Sequence, residues 1–224
     1  MTVRTRAGAG GIPAAADSDY GWALAPDRRI LTGANAITVV RTLLAVGLGL
    51  AAATVNDRDT ALQLLVASLV IYWVGDVADG AVARWFDHET RFGAVLDIVC
   101  DRACAFVFYL GVVWYLPHLA LPVGVYVLEF AVVDMVLSLA FVAWPLLSPN
   151  YFHLVDRPIW LWNWSKPAKA VNSSAFAVLL LVTESVPLCT AIAVVLLAVK
   201  AASLVRLVRL GVPLPGVVGA RTAA

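Results

Sequence analysis

Charged side chains are scarce in this chain of 224 residues: only 14% are Asp, Glu, Lys or Arg. A soluble domain carries about a quarter, so a solvated globular surface is excluded. Cysteine is limited to three positions. Cys100 and Cys104, four apart on an apolar segment, read as small buried groups, and no disulfide is expected. The three histidines, His88, His118 and His153, fall in connections, which argues against a catalytic histidine in the membrane. No run of basic residues appears and the net charge is +1, so nucleic acid is not an expected partner. The first sixteen residues are Gly/Ala-rich with two arginines and lack an apolar core, so no cleavable signal peptide is expected.

What is abundant is apolar surface. Hydrophobic residues make up 62% of the chain, with a mean hydropathy of +0.86. Apolar windows of roughly 20 residues, the length that crosses a bilayer core, recur along it. The fold class expected is an all-α integral membrane protein with six transmembrane helices, at about 34–54, 61–84, 92–116, 121–146, 168–185 and 188–209. A single membrane domain (34–210) lies between an N-terminal cytoplasmic and interfacial segment (1–33) and a cytoplasmic tail (211–224). Residues 18–30 mix aromatic, apolar and basic groups suited to lying on a leaflet. Of the basic residues, only Arg58 falls in a connection assigned to the outside; Arg28, Arg29, Arg84, Arg91, Arg157, Lys166, Lys169, Arg206 and Arg209 fall on the other side. The positive-inside rule then puts both termini in the cytoplasm, and the membrane expected is the inner (plasma) membrane of the cell. Trp160, Trp162 and Trp164, at alternate positions, are expected in an interfacial belt.

Against this apolar background stand Asp76, Asp79, Asp97 and Asp101. Carboxylates at membrane depth are costly without a partner or a water-filled cavity, and four that converge repel one another. A divalent cation resolves both problems, because hard oxygen ligands suit Mg2+, Mn2+ or Ca2+, and Mg2+ or Mn2+ is the cofactor expected. Residues three and four apart share a helix face, so Asp76, Asp79, Gly80, Ala83 and Arg84 form one stripe. Gly93, Asp97 and Asp101 form a second, and the short polar connection 85–91 allows the two to face each other. The small residues leave room for close helix approach or for a ligand. Asn35, Thr38 and Arg41, spaced by three, form a third polar stripe at the start of the first helix.

The pattern D-x2-D-G-x2-A-R-x8-G-x3-D-x3-D, complete over residues 76–101, resembles the signature of the CDP-alcohol phosphotransferases. The resemblance implies an integral membrane enzyme that moves a phosphatidyl or phosphoalcohol group from a cytidine diphosphate carrier to a hydroxyl, releasing CMP. It implies metal ligation by Asp76, Asp79, Asp97 and Asp101, with Asp101 also the general base. Asn35, Thr38 and Arg41 match an N-x2-T-x2-R element that lines the nucleotide pocket in this family, although Ala34 stands where the family has a proline. With Asp79, Gly80, Ala83, Arg84 and Gly93 they form the expected donor site. The resemblance further implies a homodimer among membrane lipids. Thr90-Arg91-Phe92-Gly93 and Asp101-Arg102 are locally most similar to the phosphatidylinositol-synthase branch, as is Ser165-Lys166-Pro167.

The expected activity is therefore transfer of a phosphatidyl group from CDP-diacylglycerol to a small polar alcohol, with inositol or inositol phosphate as acceptor. Arg91, Asp134, Ser165, Lys166 and Lys169 are the acceptor-site candidates, and Asp134 has an alternative as a structural partner for Arg102. Arg206 and Arg209 are either interfacial anchors or part of a phosphate pocket. Glycerol phosphate, serine or a lipid hydroxyl are alternative acceptors, and a CDP-linked small alcohol with diacylglycerol is an alternative pairing. A cation transporter or channel would also explain buried carboxylates, but not Gly80, Ala83, Arg84 and Gly93 in register with them. A scaffold whose acids only pair with arginines between helices is the remaining alternative.

Overall fold

The computed structural model describes residues 30–212, all of whose regular structure is helical. The interfacial segment expected at 18–30 and the tail expected at 211–224 lie almost wholly outside the described residues. The long helices are α1 (Gly33–Ala52), α2 (Arg58–Trp85), α3 (Arg91–Tyr115) and α4 (Pro117–Ala143). After them come the short α5 (Arg157–Asn163), α6 (166–183) and α7 (Val186–Leu210). Four of these, α1, α2, α4 and α7, are long and apolar enough to cross a membrane. Side chains such as Leu43, Val74, Leu110 and Val182 are largely exposed on the outside of the bundle. An apolar outer surface over helices that satisfy their own backbone bonds is what a bilayer requires, and the chain is an integral membrane protein.

Polar side chains mark the helix starts. Thr32 caps α1 by accepting from Asn35 N–H (3.1 Å), and Asp57 caps α2 by accepting from Thr60 N–H (2.8 Å). Thr90 caps α3 by accepting from Gly93 N–H (2.9 Å). Each satisfies a donor that the first turn leaves open. Between α2 and α3, Asp87 adopts a left-handed conformation (φ 53°), one of the few that a short polar side chain tolerates.

One apolar core joins α1, α2, α3, the first half of α4, α6 and α7 around Leu65, Phe108, Tyr126 and Phe176. A second, around Phe141, Phe152, Ile159 and Leu207, lies between the end of α4, the 144–156 connection, α5 and α7. That connection holds a 3-10 turn over Pro149–Leu154. The tryptophans differ from an interfacial belt. In a helix, alternate residues do not share a face: Trp164 is buried against Phe152 and Trp160 donates to Asn150 O (2.8 Å), which leaves Trp162 the exposed one.

Two helices contain a π turn, Glu129–Val133 in α4 and Ala170–Ala175 in α6. Such turns insert a residue into the α ladder and re-aim the side chains beyond it.

Candidate metal and donor site

Residues Asn35, Thr38 and Arg41 lie on the buried stripe of α1 that meets α2. Arg41 is 3% exposed, and its guanidinium sits among all four aspartates. Nε donates to Asp79 Oδ2 (2.9 Å), while Nη2 donates to Asp101 Oδ1 (2.9 Å) and to Asp97 Oδ1 and lies 3.6 Å from Asp76 Oδ1. A buried arginine is tolerable here because its charge is matched and its Nε and Nη2 donors are used, although Nη1 has no partner among the described residues. Gly75 makes this possible. A Cβ on residue 75 would lie 2.4 Å from Arg41 Cδ and 2.5 Å from Arg41 Cβ, so the Arg41 stem runs across bare α2 backbone.

Asp79 is buried, and its Oδ2 accepts from Arg41 and from Thr38 Oγ1 (2.7 Å). Asp76, Asp97 and Asp101 each present one carboxylate oxygen, and these three oxygens all lie within 4.8 Å of one another. Oxygens on opposite sides of a six-coordinate Mg2+ lie about 4.2 Å apart, from bonds of about 2.1 Å. Small side-chain rotations would therefore close the triad on a divalent cation, and three hard oxygen ligands fit one.

The triad faces a cavity of about 230 Å³. Of the residues expected at the donor site, Asn35, Thr38, Gly80, Ala83, Arg84 and Gly93 line it, together with all four aspartates. Arg41 stands behind that wall, holding the aspartates. Gly93 is constrained: a Cβ there would lie 2.6 Å from Asn35 Oδ1 and 2.8 Å from Thr90 Oγ1. Asn35 in turn donates to Ile30 O (2.7 Å), which ties the segment before α1 to its first turn. At the rim, Tyr151 donates to Glu89 Oε2 (2.7 Å). Burial and this carboxylate push the tyrosine hydroxyl up to about 12, so it stays a donor at neutral pH.

The expected acceptor residues separate. Asp134 and Lys169 line the cavity. Arg91 instead donates to Val142 O (2.6 Å) and Trp144 O (3.3 Å), binding the end of α4. Ser165 caps α6, accepting from Ala168 N–H (3.4 Å) and donating to Leu161 O (2.7 Å). Lys166 is exposed, outside the cavity wall. Arg206 pairs with Asp156, the cap of α5, at 3.0 Å, which holds α7 to α5.

Two groups beyond the expected set also belong to the site. Lys200, in the middle of α7, is 2% exposed and donates to Asp134 Oδ1 (2.5 Å), while Arg102 donates to Asp134 Oδ2. Ser138 lies 3.2 Å from both Arg102 Nη2 and Asp134 Oδ2. A lysine flanked on both sides by apolar helix is itself a sequence signal for such a partner. Glu129 is the other, buried one π turn before Asp134 and lining the same cavity.

The family model described as CDP-alcohol phosphatidyltransferase matches residues 31–205. Among curated proteins, the CDP-diacylglycerol–inositol 3-phosphatidyltransferase of Candida albicans is 46% identical over 54 residues, 22% of this chain and 24% of that protein. The phosphatidylinositol phosphate synthase of Mycobacteroides abscessus is 50% identical over 40 residues, 18% of each chain. That of Mycobacterium tuberculosis is 40% identical over 55 residues, 23% of this chain and 25% of the relative. The similarity thus spans a quarter or less of these relatives' own length. No solved structure matches the chain.

Proposed function

The chain belongs to the CDP-alcohol phosphatidyltransferase family, and we propose that it transfers a phosphatidyl group from CDP-diacylglycerol to a hydroxyl of a small polar alcohol of the inositol or inositol phosphate type, releasing CMP. The observation that carries this reading is the convergence of Asp76, Asp97 and Asp101 beside the Thr38–Arg41–Asp79 cluster, at one wall of a cavity within an apolar bundle.

In this reading Asp76, Asp97 and Asp101 hold a divalent cation, Mg2+ or Mn2+, with Asp79 bracing the set. A bound cation neutralises the pyrophosphate charge and polarises the phosphorus that is attacked. Asp101, the most shielded of the three ligating carboxylates, takes the proton from the acceptor hydroxyl. The acceptor oxygen forms a bond to the phosphorus that carries diacylglycerol, and the bond from that phosphorus to the CMP oxygen breaks. No side-chain nucleophile is required, so transfer is a direct displacement. Arg41 and Thr38 keep Asp79 fixed, so the aspartates need not reorganise as charge moves to the leaving group. Asn35, Gly80, Ala83, Arg84 and Gly93 shape the donor side, and Lys169 and Asp134 face the acceptor side.

The same reading gives six spans, formed by α1–α4, α6 and α7, with both termini in the cytoplasm of a plasma membrane and two copies forming a homodimer. The test is a screen of purified protein with CDP-diacylglycerol and Mg2+, following CMP release for each candidate alcohol and identifying the lipid by mass spectrometry. Phosphatidylglycerol phosphate or phosphatidylserine as the dominant product would overturn the inositol assignment and leave the transfer reaction standing.

A further inference from the structure

At the end of the cavity away from Gly80 and Arg84, the walls come from α3, α4, α5 and α7. Arg102, Glu129, Asp134, Asn163 and Lys200 all line it. Three buried polar atoms there have no hydrogen-bond partner among the described residues: Glu129 Oε1, Asn163 Oδ1 and Arg102 Nε. Glu129 is 1% exposed and Asn163 2%. Leaving such atoms unmet is costly, and buried orphans in a native fold call for a ligand or an ordered partner.

The surroundings show that these atoms are held in place. Asn163 Nδ2 donates to Ile159 O (2.7 Å) and to Ser203 Oγ (2.9 Å), so its amide is fixed with Oδ1 left over. Arg102 and Lys200 are committed through their terminal nitrogens to Asp134, with Ser138 beside them. Glu129 and Asp134 are five residues apart, about 140° around a regular α-helix at 100° per residue. The π turn Glu129–Val133, closed by Asp134 N–H to Glu129 O, brings both onto the cavity wall.

We propose that this end of the cavity is the acceptor subsite and that it is built for an uncharged polyhydroxy alcohol, with Glu129 Oε1 and Asn163 Oδ1 each accepting a hydroxyl proton and Arg102 Nε donating to a hydroxyl oxygen. The proposal rests on the transfer reading above and narrows its acceptor. Two of the three orphans are acceptors, so they need donors, and an ionised phosphate has none to give. The terminal nitrogens of the two basic groups, Arg102 and Lys200, are already bonded to Asp134 and to Ile98 O, so this end holds no basic terminus free for a phosphate. Three directed polar atoms on rigid helices match several hydroxyls of one small molecule.

The experiment compares myo-inositol with myo-inositol 1-phosphate as acceptors for the purified full-length protein, with CDP-diacylglycerol and Mg2+, and repeats it for Glu129→Ala, Glu129→Gln and Asn163→Ala. The wild type is expected to favour the neutral polyol by at least tenfold in kcat/KM, and inorganic phosphate should not compete with it. Glu129→Ala and Asn163→Ala should each raise the KM for the polyol about threefold to tenfold, as expected for a lost hydrogen bond to a buried polar group. Glu129→Gln, which keeps an acceptor oxygen and the side-chain volume, should recover most of the loss. The KM for CDP-diacylglycerol should stay within twofold throughout, which a general loss of structure would not allow. Preference for the phosphorylated acceptor, competition by inorganic phosphate, or an unchanged polyol KM in both alanine variants would overturn the assignment. Absence of CMP release with every acceptor would overturn the transfer reading and this one with it.

Discussion

Replacing Gly75 by alanine adds one methyl group and should disable the site without touching a cavity-lining residue. The new Cβ would lie 2.4 Å from Arg41 Cδ and 2.5 Å from Arg41 Cβ, whereas carbon atoms in contact sit about 3.5–4.0 Å apart. Relief needs a shift of about 1 Å or more. The obstructing atoms are the arginine stem and a Cβ fixed to the α1 backbone, so no terminal rotation supplies it. Either α1 moves off α2 or the guanidinium leaves its place. Its bonds to Asp79 and Asp101 are both 2.9 Å, so a 1 Å displacement takes them beyond hydrogen-bonding range. Overpacking costs about 1–3 kcal/mol, offset by the ~0.5–1 kcal/mol helix advantage of alanine over glycine, for a net loss of at most about 2.5 kcal/mol. The larger effect is on turnover, because a 1 Å misplacement at a reacting centre costs about 100-fold. The assay is CMP release alongside thermal unfolding in detergent, with Gly124→Ala as control. A Cβ at residue 124 meets nothing within 4 Å, so the control should be neutral or slightly stabilising. Activity of Gly75→Ala within threefold of wild type would refute the idea that Arg41, wedged over Gly75, holds the aspartates.

Three other outcomes follow from the same geometry. Asp134→Ala strands Arg102 and Lys200 in the bundle and should destabilise the protein by about 3–5 kcal/mol, read as a large fall in its detergent unfolding temperature. Ser165→Ala removes the α6 cap and should lower stability by about 1 kcal/mol while leaving the acceptor KM unchanged; a raised KM would return Ser165 to the acceptor site. Asp101→Asn should retain CDP-diacylglycerol binding, measured by calorimetry or ligand-induced thermal shift, while turnover falls at least 100-fold. Parallel loss of both would make Asp101 mainly a metal ligand.

Much of the site is local in sequence, which is why it can be read there. Asp76, Asp79, Gly80, Ala83 and Arg84 fall on one face by helix periodicity alone, as do Gly93, Asp97 and Asp101, and a short polar connection joins the two helices. The periodicity of Asn35, Thr38 and Arg41 likewise predicts a stripe, but not that Arg41 reaches across to four carboxylates. That depends on Gly75, whose importance appears only when two helices are in contact. The pairing of Lys200 with Asp134 joins positions 66 residues apart, and no local pattern specifies it. The π turns leave no periodic trace, because a single inserted residue shifts the register of an already uniform apolar helix; Glu129 therefore reads as facing away from Asp134. Arg91 and Ser165 are candidates through motifs that resemble a family branch, and such a resemblance does not specify their local contacts, which are with backbone carbonyls and a helix start.

The central claim is that Asp76, Asp97 and Asp101 hold a divalent cation on which transfer depends. The most direct measurement is CMP release from CDP-diacylglycerol and inositol by chelator-treated protein, titrated with Mg2+ and Mn2+, for the wild type and for Asp97→Asn. The account predicts no release without a divalent cation, saturable recovery in the wild type, and loss of at least 100-fold in Asp97→Asn that high Mg2+ does not restore. Full release in the presence of chelator, or an Asp97→Asn variant that is activated like the wild type, would contradict it.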